Sequence, residues 1–271
     1  MTVPSTPFVR ESGYGVPVLC LHSNASSSSQ WRGLMEMLSP HWRVLAPDLL
    51  GAGRSAAWPV AAGARLQHEL DALAPVLQSL GDRFHVVGHS YGAALAMAIA
   101  QAAPQRVASM VLFEPTIFPL LNRPGPGDPA ATGIAAVATA AIAAVDRGDL
   151  TAAAAEFIDF WMGPGSWAAM PVARRGPVGE SMRPIRQWTE AIFAESWPAA
   201  GLARMAMPVL LLGGDQSPAS ARDLLPILAP RLPQVTVQVL PGLGHMAPVT
   251  HPERVNPLIV DFLQRQTMLG S

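Results

Sequence analysis

The chain has 271 residues, half of them apolar, which suffices for one large α/β domain or for a domain carrying an inserted module. Charged residues make up only 14% and the formal net charge is −1. That removes the basic field on which nucleic acid or an anionic membrane would be held, and leaves small, mostly neutral molecules as the expected partners. The one cysteine, Cys20, excludes an internal disulfide framework and sits in an apolar run as filler.

The proline-bearing start, residues 1–10, lacks the long apolar core of a secretory signal, so the expected compartment is the cytoplasm. A short strand at 8–10 ends in Ser12-Gly13-Tyr14-Gly15. Residues 16–21 read as a buried strand that tolerates Pro17 near its start. It runs into His22-Ser23-Asn24 and a serine-rich loop. Residues 30–38 place Trp31, Leu34, Met35 and Leu38 at helical spacing. A strand at 43–46 ends at Pro47-Asp48-Leu49-Leu50-Gly51-Ala52-Gly53-Arg54-Ser55. This loop lacks the Gly-Lys-Ser/Thr ending of a phosphate cradle and the third glycine of a dinucleotide turn, and Asp48 is read as pinning it. Residues 66–80 are helix-like, with Pro75 predicted to kink them and Gly81 closing them.

The chain then makes its most informative turn. Phe84-His85-Val86-Val87 meets Gly88-His89-Ser90-Tyr91-Gly92, and an alanine-rich helical run to residue 103 follows at once. Strand, sharp turn and helix in that order expose the Ser90 hydroxyl at the carboxyl end of a strand. The helix from Tyr91 aims its unpaired N–H groups at the place where an oxyanion would develop. A further strand at 110–113 ends at Glu114-Pro115. Strands alternating with helices at this spacing predict a mainly parallel sheet covered on both faces, with ligands beyond the carboxyl ends of the strands.

At Thr116 the texture changes. Residues 118–129 form a Pro/Gly-rich linker, 133–147 and 151–161 read as helices, 163–179 as a second Gly/Pro-rich break, and 184–197 as a last helix. With no strand pattern before residue 205, the segment is predicted to be a helical insertion. The run 134–145 is mostly alanine and reads as too short to span a bilayer. Trp161, Trp167, Trp188 and Trp197 either line an apolar pocket or form ordinary core, and Arg174, Arg175, Arg183 and Arg186 either reach that pocket or are solvated. The sheet resumes at 208–212, followed by Gly213-Gly214-Asp215. A helix at 219–229, a strand at 235–240, the loop Pro241-Gly242-Leu243-Gly244-His245-Met246 and a closing helix at 252–265 complete the chain.

Ser90, Asp215 and His245 thus fall at the carboxyl ends of separate predicted strands, in the order serine, acid, histidine. Glu114, which also ends a strand, is the rival acid, and His251 the rival base. Together with Leu21-His22-Ser23-Asn24 and Pro47 to Ser55, these motifs resemble the α/β-hydrolase superfamily, in its capped, esterase-like branch. The resemblance implies a core at 1–115 and 206–271 with a helical cap at 116–205. It also implies a serine hydrolase acting on small carboxylic esters without cofactor or metal. His245 would act as base and Asp215 would orient it, with an oxyanion hole formed by the backbone N–H groups of Asn24 and Tyr91. Carbon–carbon hydrolases, lactonases, aminopeptidases and perhydrolases keep the same three residues, and a low-turnover ligand receptor is the non-enzymatic alternative. His22-Ser23 departs from the family's usual His-Gly. His22 and His89 are read as holding loop backbone.

Overall fold

The computed structural model describes residues 6–122 and 129–270. Seven strands form one sheet: β1 (Val9–Ser12), β2 (Val16–Leu21), β3 (Trp42–Pro47), β4 (Phe84–His89), β5 (Val107–Phe113), β6 (Val209–Gly214) and β7 (Val235–Leu240). Their spatial order is β1-β3-β2-β4-β5-β6-β7, all parallel except β1, which runs antiparallel to β3. The order changes direction at β2, so the crevice beyond the carboxyl ends of β2 and β4 is where such a sheet binds ligands.

The strands sort their side chains by the two-residue period of extended chain. Leu19, Leu21, Val86, Met110, Leu112 and Leu211 feed one core, while Val18, Cys20, Val87, Val111, Phe113, Leu210 and Leu212 feed the other. Helices α1 (Arg32–Leu38) and α13 (Pro252–Gly270) close the second core, with Leu34 and Leu38 beside Val255, Ile259 and Leu263. On the other face lie α2 (Leu66–Ser79), which continues as one helix across Pro75, and α3 (Tyr91–Ala102). Every residue of α3 from Tyr91 to Ala100 is buried, which is why its sequence shows no polar face.

Between β5 and β6 the described residues contain no strand. Helices α4 (Pro129–Asp146), α5 (Leu150–Met162), α6 (Ser166–Ala169), α7 (Val172–Glu180), α8 (Ile185–Phe193) and α9 (Ala199–Ala203) fill the interval. The expected break at 163–179 is replaced by α6 and α7. Gly163 and Gly165 take positive φ in the tight turn between α5 and α6, where the Asp159 carboxylate accepts the Trp167 N–H. Gly179 packs against the Leu150 backbone. These glycines serve sharp turns and close approach between helices, not disorder. The linker at 118–129 begins as a short 3-10 turn, Phe118–Leu121, and its residues 123–128 lie outside the described residues. Helix α4 has 18 residues and is long and apolar enough to cross a membrane, so its length does not exclude a span as expected. In this fold its Ile134, Ala138 and Ala141 are buried.

After β6 the single helix expected at 219–229 divides into α10 (Ala219–Arg222) and α11 (Leu224–Leu228). Pro226 has no N–H to give the Arg222 carbonyl, so one continuous helix would lose that bond. A short helix α12 (Ala247–Thr250) precedes α13.

The crossing of β2, β4 and α3 is the tightest point of the fold. A Cβ on Gly92 would lie 2.2 Å from the Leu21 carbonyl oxygen, and one on Gly88 would lie 2.5 Å from the Gly92 carbonyl oxygen. Both obstacles are backbone, which cannot rotate away. Gly92→Ala is therefore expected to cost at least ~3 kcal/mol, the upper end for overpacking, read as a fall in the urea midpoint. A midpoint equal to wild type would contradict this account of the crossing.

Candidate active site

Ser90 follows the last residue of β4 and precedes the first of α3, with φ 57 and ψ −115. A non-glycine residue in that region carries strain of about 1–3 kcal/mol, offset here by the packing on either side. Its N–H donates to the Phe113 carbonyl (2.9 Å) and its carbonyl accepts from Thr116 N–H (3.3 Å), so the end of β5 and the loop after it hold Ser90 on both sides.

The Ser90 Oγ lies 2.9 Å from His245 Nε2, and His245 Nδ1 lies 2.6 Å from Glu114 Oε2. All three side chains are buried. The carboxylate on the histidine is thus Glu114 and not the expected Asp215. Glu114 ends β5, beside the Ser90 strand β4, while Asp215 follows β6 and its carboxylate is turned to the loop after β7. Glu114 itself has a positive φ of 45. Its other oxygen, Oε1, accepts the Gly214 N–H (2.7 Å) and the Ser217 hydroxyl (2.7 Å). The Gly213-Gly214-Asp215 stretch therefore serves the site by gripping Glu114. Asp215 instead accepts the Gly242 N–H (2.7 Å) and the Gln216 amide (3.1 Å), tying the loop after β7. His251, the rival base, pairs with Thr250 on the surface.

Two further histidines are structural. His89 donates from Nε2 to the His245 carbonyl (2.8 Å), while its Nδ1 accepts from the Gln30 amide (3.1 Å). Burial, then the neighbouring His245, pushes its pKa well below the usual imidazole value. It is a neutral strut. His22 accepts the Leu49 N–H at Nε2 and donates from Nδ1 to the Ser23 carbonyl, and burial lowers its pKa to about 4. Asp48 pins its loop through the N–H groups of Ser28 and Arg54.

The expected oxyanion donors both adjoin Ser90. Tyr91 is the first residue of α3, so its N–H has no carbonyl within the helix. Asn24 lines the same cavity as Ser90, and its N–H is bonded to no other described residue. Ser23 replaces the usual glycine without strain, since the positive φ in this loop falls on Ala25 and Ser23 is tied by its N–H and hydroxyl to Gln30.

A buried carboxyl that sequence reasoning did not single out lies under the turn. Glu69 of α2 accepts the Tyr91 hydroxyl (3.2 Å) and the Leu50 N–H (3.1 Å). Burial raises its pKa to about 8 against the pull of those two donors. In sequence it is one polar position of an amphipathic helix, indistinguishable from a solvated one.

Above Ser90 lies a small cavity walled by Phe118, Ile134, Phe157, Trp161, Ile185 and Ile192, so its roof comes from α4, α5 and α8. The cavity volume is about 30 Å³, enough for ordered water. Trp161 stacks on His245 with ring centroids 3.9 Å apart. Trp188 is buried beside Tyr91 and is core, as is Trp197, while Trp167 lies part-buried near Arg175. None of the four insertion arginines lines the cavity; Arg183 and Arg186 pair with Glu180 and Asp146 on the surface. Among the described residues no three His, Cys, Asp or Glu side chains gather as a metal site.

The family model for the alpha/beta hydrolase fold matches residues 16–252, and the chain belongs to that family. Over 101 residues it is 42% identical to lipase LipV of Mycobacterium tuberculosis, a match covering 37% of each chain. Over 109 residues it is 35% identical to the 2-hydroxy-6-oxo-2,4-heptadienoate hydrolase of Pseudomonas putida, covering 39% of each. These matches span well under half of the relatives' length. A thermophilic esterase from Thermogutta terrifontis superposes with a TM-score of 0.71 over 96% of this chain and 93% of its own, at 23% identity, a likeness of fold.

The buried Glu69 carries a stability prediction. Its folded pKa of about 8 stands above the ordinary 4.5, so the folded state keeps a proton that the unfolded chain releases. Its contribution to stability is present in full below pH 4.5 and is lost as pH rises towards 8. Glu69→Gln removes that loss. Relative to wild type, the variant should gain stability between about pH 5 and 8, at up to ~1.4 kcal/mol per pH unit, in paired urea titrations. A pH-independent difference between the two proteins would refute the assignment.

Proposed function

We propose that the protein is a serine hydrolase of small carboxylic esters, working through an acyl-enzyme on Ser90, with residues 116–205 as its cap. The observation that carries this reading is the continuous buried chain from Ser90 Oγ through His245 to Glu114 beneath an apolar cavity.

A serine hydroxyl is a weak nucleophile at neutral pH and needs a base in hydrogen-bond reach. His245 Nε2 takes the Ser90 proton as Oγ attacks the ester carbonyl, and gives it to the departing alcohol. Glu114 accepts the hydrogen bond from Nδ1, which fixes that tautomer, and stabilises the imidazolium. The face of Trp161 lies against that same ring, where a cation gains further attraction. The oxyanion meets the N–H groups of Tyr91 and Asn24, each worth on the order of 3 kcal/mol of barrier. Water then attacks the acyl-enzyme by the reverse sequence of proton transfers. No cofactor or metal is needed for any of these steps.

A second reading, hydrolysis of a carbon–carbon bond, is favoured by the similarity to the Pseudomonas putida heptadienoate hydrolase. Both readings use Ser90, so substrate separates them.

The first test is turnover of p-nitrophenyl esters from acetate to decanoate. Wild type should hydrolyse part of the series, and Ser90→Ala should lose ~10⁴-fold or more in kcat. Failure on every ester would overturn the esterase reading. The assignment of the acid is tested on the best ester. Glu114→Gln should lower kcat by ~10³ to 10⁴, because the amide favours the wrong imidazole tautomer, whereas Asp215→Asn should stay close to wild type. The opposite ranking would return the role to Asp215.

A further inference from the structure

The hydrogen bond between Ser90 and His245 joins two hollows of different character. Ser90 and Asn24 line the small cavity already described, with Ile134, Ala138 and Ile192 among its buried walls. His245 lines a second hollow of about 620 Å³, against about 30 Å³ for the first. Its walls come from Phe160 and Met162 of α5, Gln216 after β6, Met246 after β7 and Thr250 of α12. Met162, Gln216 and Thr250 are exposed, so this side opens to solvent. Among the described residues Trp161 alone lines both. Its indole, stacked on the His245 ring at 3.9 Å, stands where the two meet.

The chemistry of acyl transfer gives these two sides different tasks. Ser90 Oγ bonds the carbonyl carbon while His245 Nε2 takes its proton. The carbon–oxygen bond to the alcohol then breaks as that oxygen receives the same proton from Nε2. The alkoxy oxygen must therefore stand towards His245 and the acyl group away from it. With the carbonyl oxygen held by the Tyr91 and Asn24 N–H groups, the acyl group is left facing the apolar walls around Ser90, and the alcohol the hollow beside His245. The reverse placement would carry the leaving oxygen away from its proton donor.

The two sides differ in what they admit. Each carbon added to the acyl group has to displace packed side chains, Trp161 among them, whereas each carbon added to the alcohol extends into space already open. Resting on the serine-esterase reading, we propose that the preferred substrates are esters of a short acyl group with a larger alcohol, and that Trp161, as the wall between the two sides, sets the limit on acyl length.

The test compares isomeric esters by titrating released acid: hexyl acetate against methyl heptanoate, and benzyl acetate against methyl phenylacetate. Each kcat/KM is divided by the rate constant of the same ester with hydroxide, which removes its intrinsic lability. In at least one pair, wild type should favour the acetate about ten-fold or more. A smaller preference in both pairs overturns the proposal. Both members of a pair use the same His245, so any damage to the base cancels in their ratio. Trp161→Ala should bring the ratio towards one by opening the acyl side, and Gln216→Trp by filling the hollow from an exposed position. A ratio that either folded variant leaves unchanged also overturns the proposal, and if Trp161→Ala does not fold, Gln216→Trp decides alone. If no ester is hydrolysed, the esterase reading falls by itself. Calorimetric binding of the same pairs to Ser90→Ala then decides, with about ten-fold tighter binding of an acetate in support and a smaller difference against.

Discussion

The site depends on how closely three backbones approach at the end of β4. Gly88 and Gly92 carry no Cβ, so α3 can start directly against the Leu21 and His22 carbonyls, and the chain can turn through Ser90 at positive φ. Everything catalytic is referenced to that turn. It places Oγ clear of the sheet, sets the Tyr91 N–H at the start of a buried helix, and lets Phe113 and Thr116 hold the turn by backbone hydrogen bonds. Ala25 and Glu114, the other two non-glycine residues with positive φ among the described residues, also flank this point. Strain is concentrated where side chains must be aimed, and the packed core around them keeps it in place.

Electrostatically, the site separates one working histidine from two neutral ones. His22 and His89 are buried, have lowered pKa values, and spend their ring nitrogens on backbone or amide partners. His245 alone of the three bonds a hydroxyl on one side and a carboxylate on the other. Because His89 holds the His245 carbonyl, the working ring is fixed at its backbone as well as at Nδ1. Two binding energies, one polar and one from the Trp161 stack, therefore converge on a single imidazole orientation.

Much of this could be read from the sequence because its signals are local. The β-branched run before Gly88, the alternation across the strands and the alanine-rich α3 each state their structure within a few residues, and Ser90 and His245 come together as expected. The acid was not legible. Glu114 and Asp215 both follow strands, and only the direction each carboxylate takes in three dimensions, which is non-local, decides which reaches Nδ1. The same limit hid Glu69 and the role of Trp161, since a buried polar position and a cavity-facing aromatic look, in one dimension, like solvated surface and ordinary core. Gly163, Gly165 and Gly179 misled in the other direction, because tight turns and close helix packing use the same residue that marks flexible chain.

The space above Ser90 is narrow, and Ser90 itself is only 5% exposed. A bulky molecule reaches the hydroxyl as the roof separates from the floor. Phe118, at the start of the 116–205 segment, meets Trp161 and Phe193 with its ring. For a molecule entering over Ser90, the barrier is the parting of these aromatic rings, a cost independent of how reactive that molecule is. On the proposed reading, a substrate whose own apolar surface replaces these contacts as they part enters fastest, so selection begins at the aromatic cluster, before any bond is made or broken.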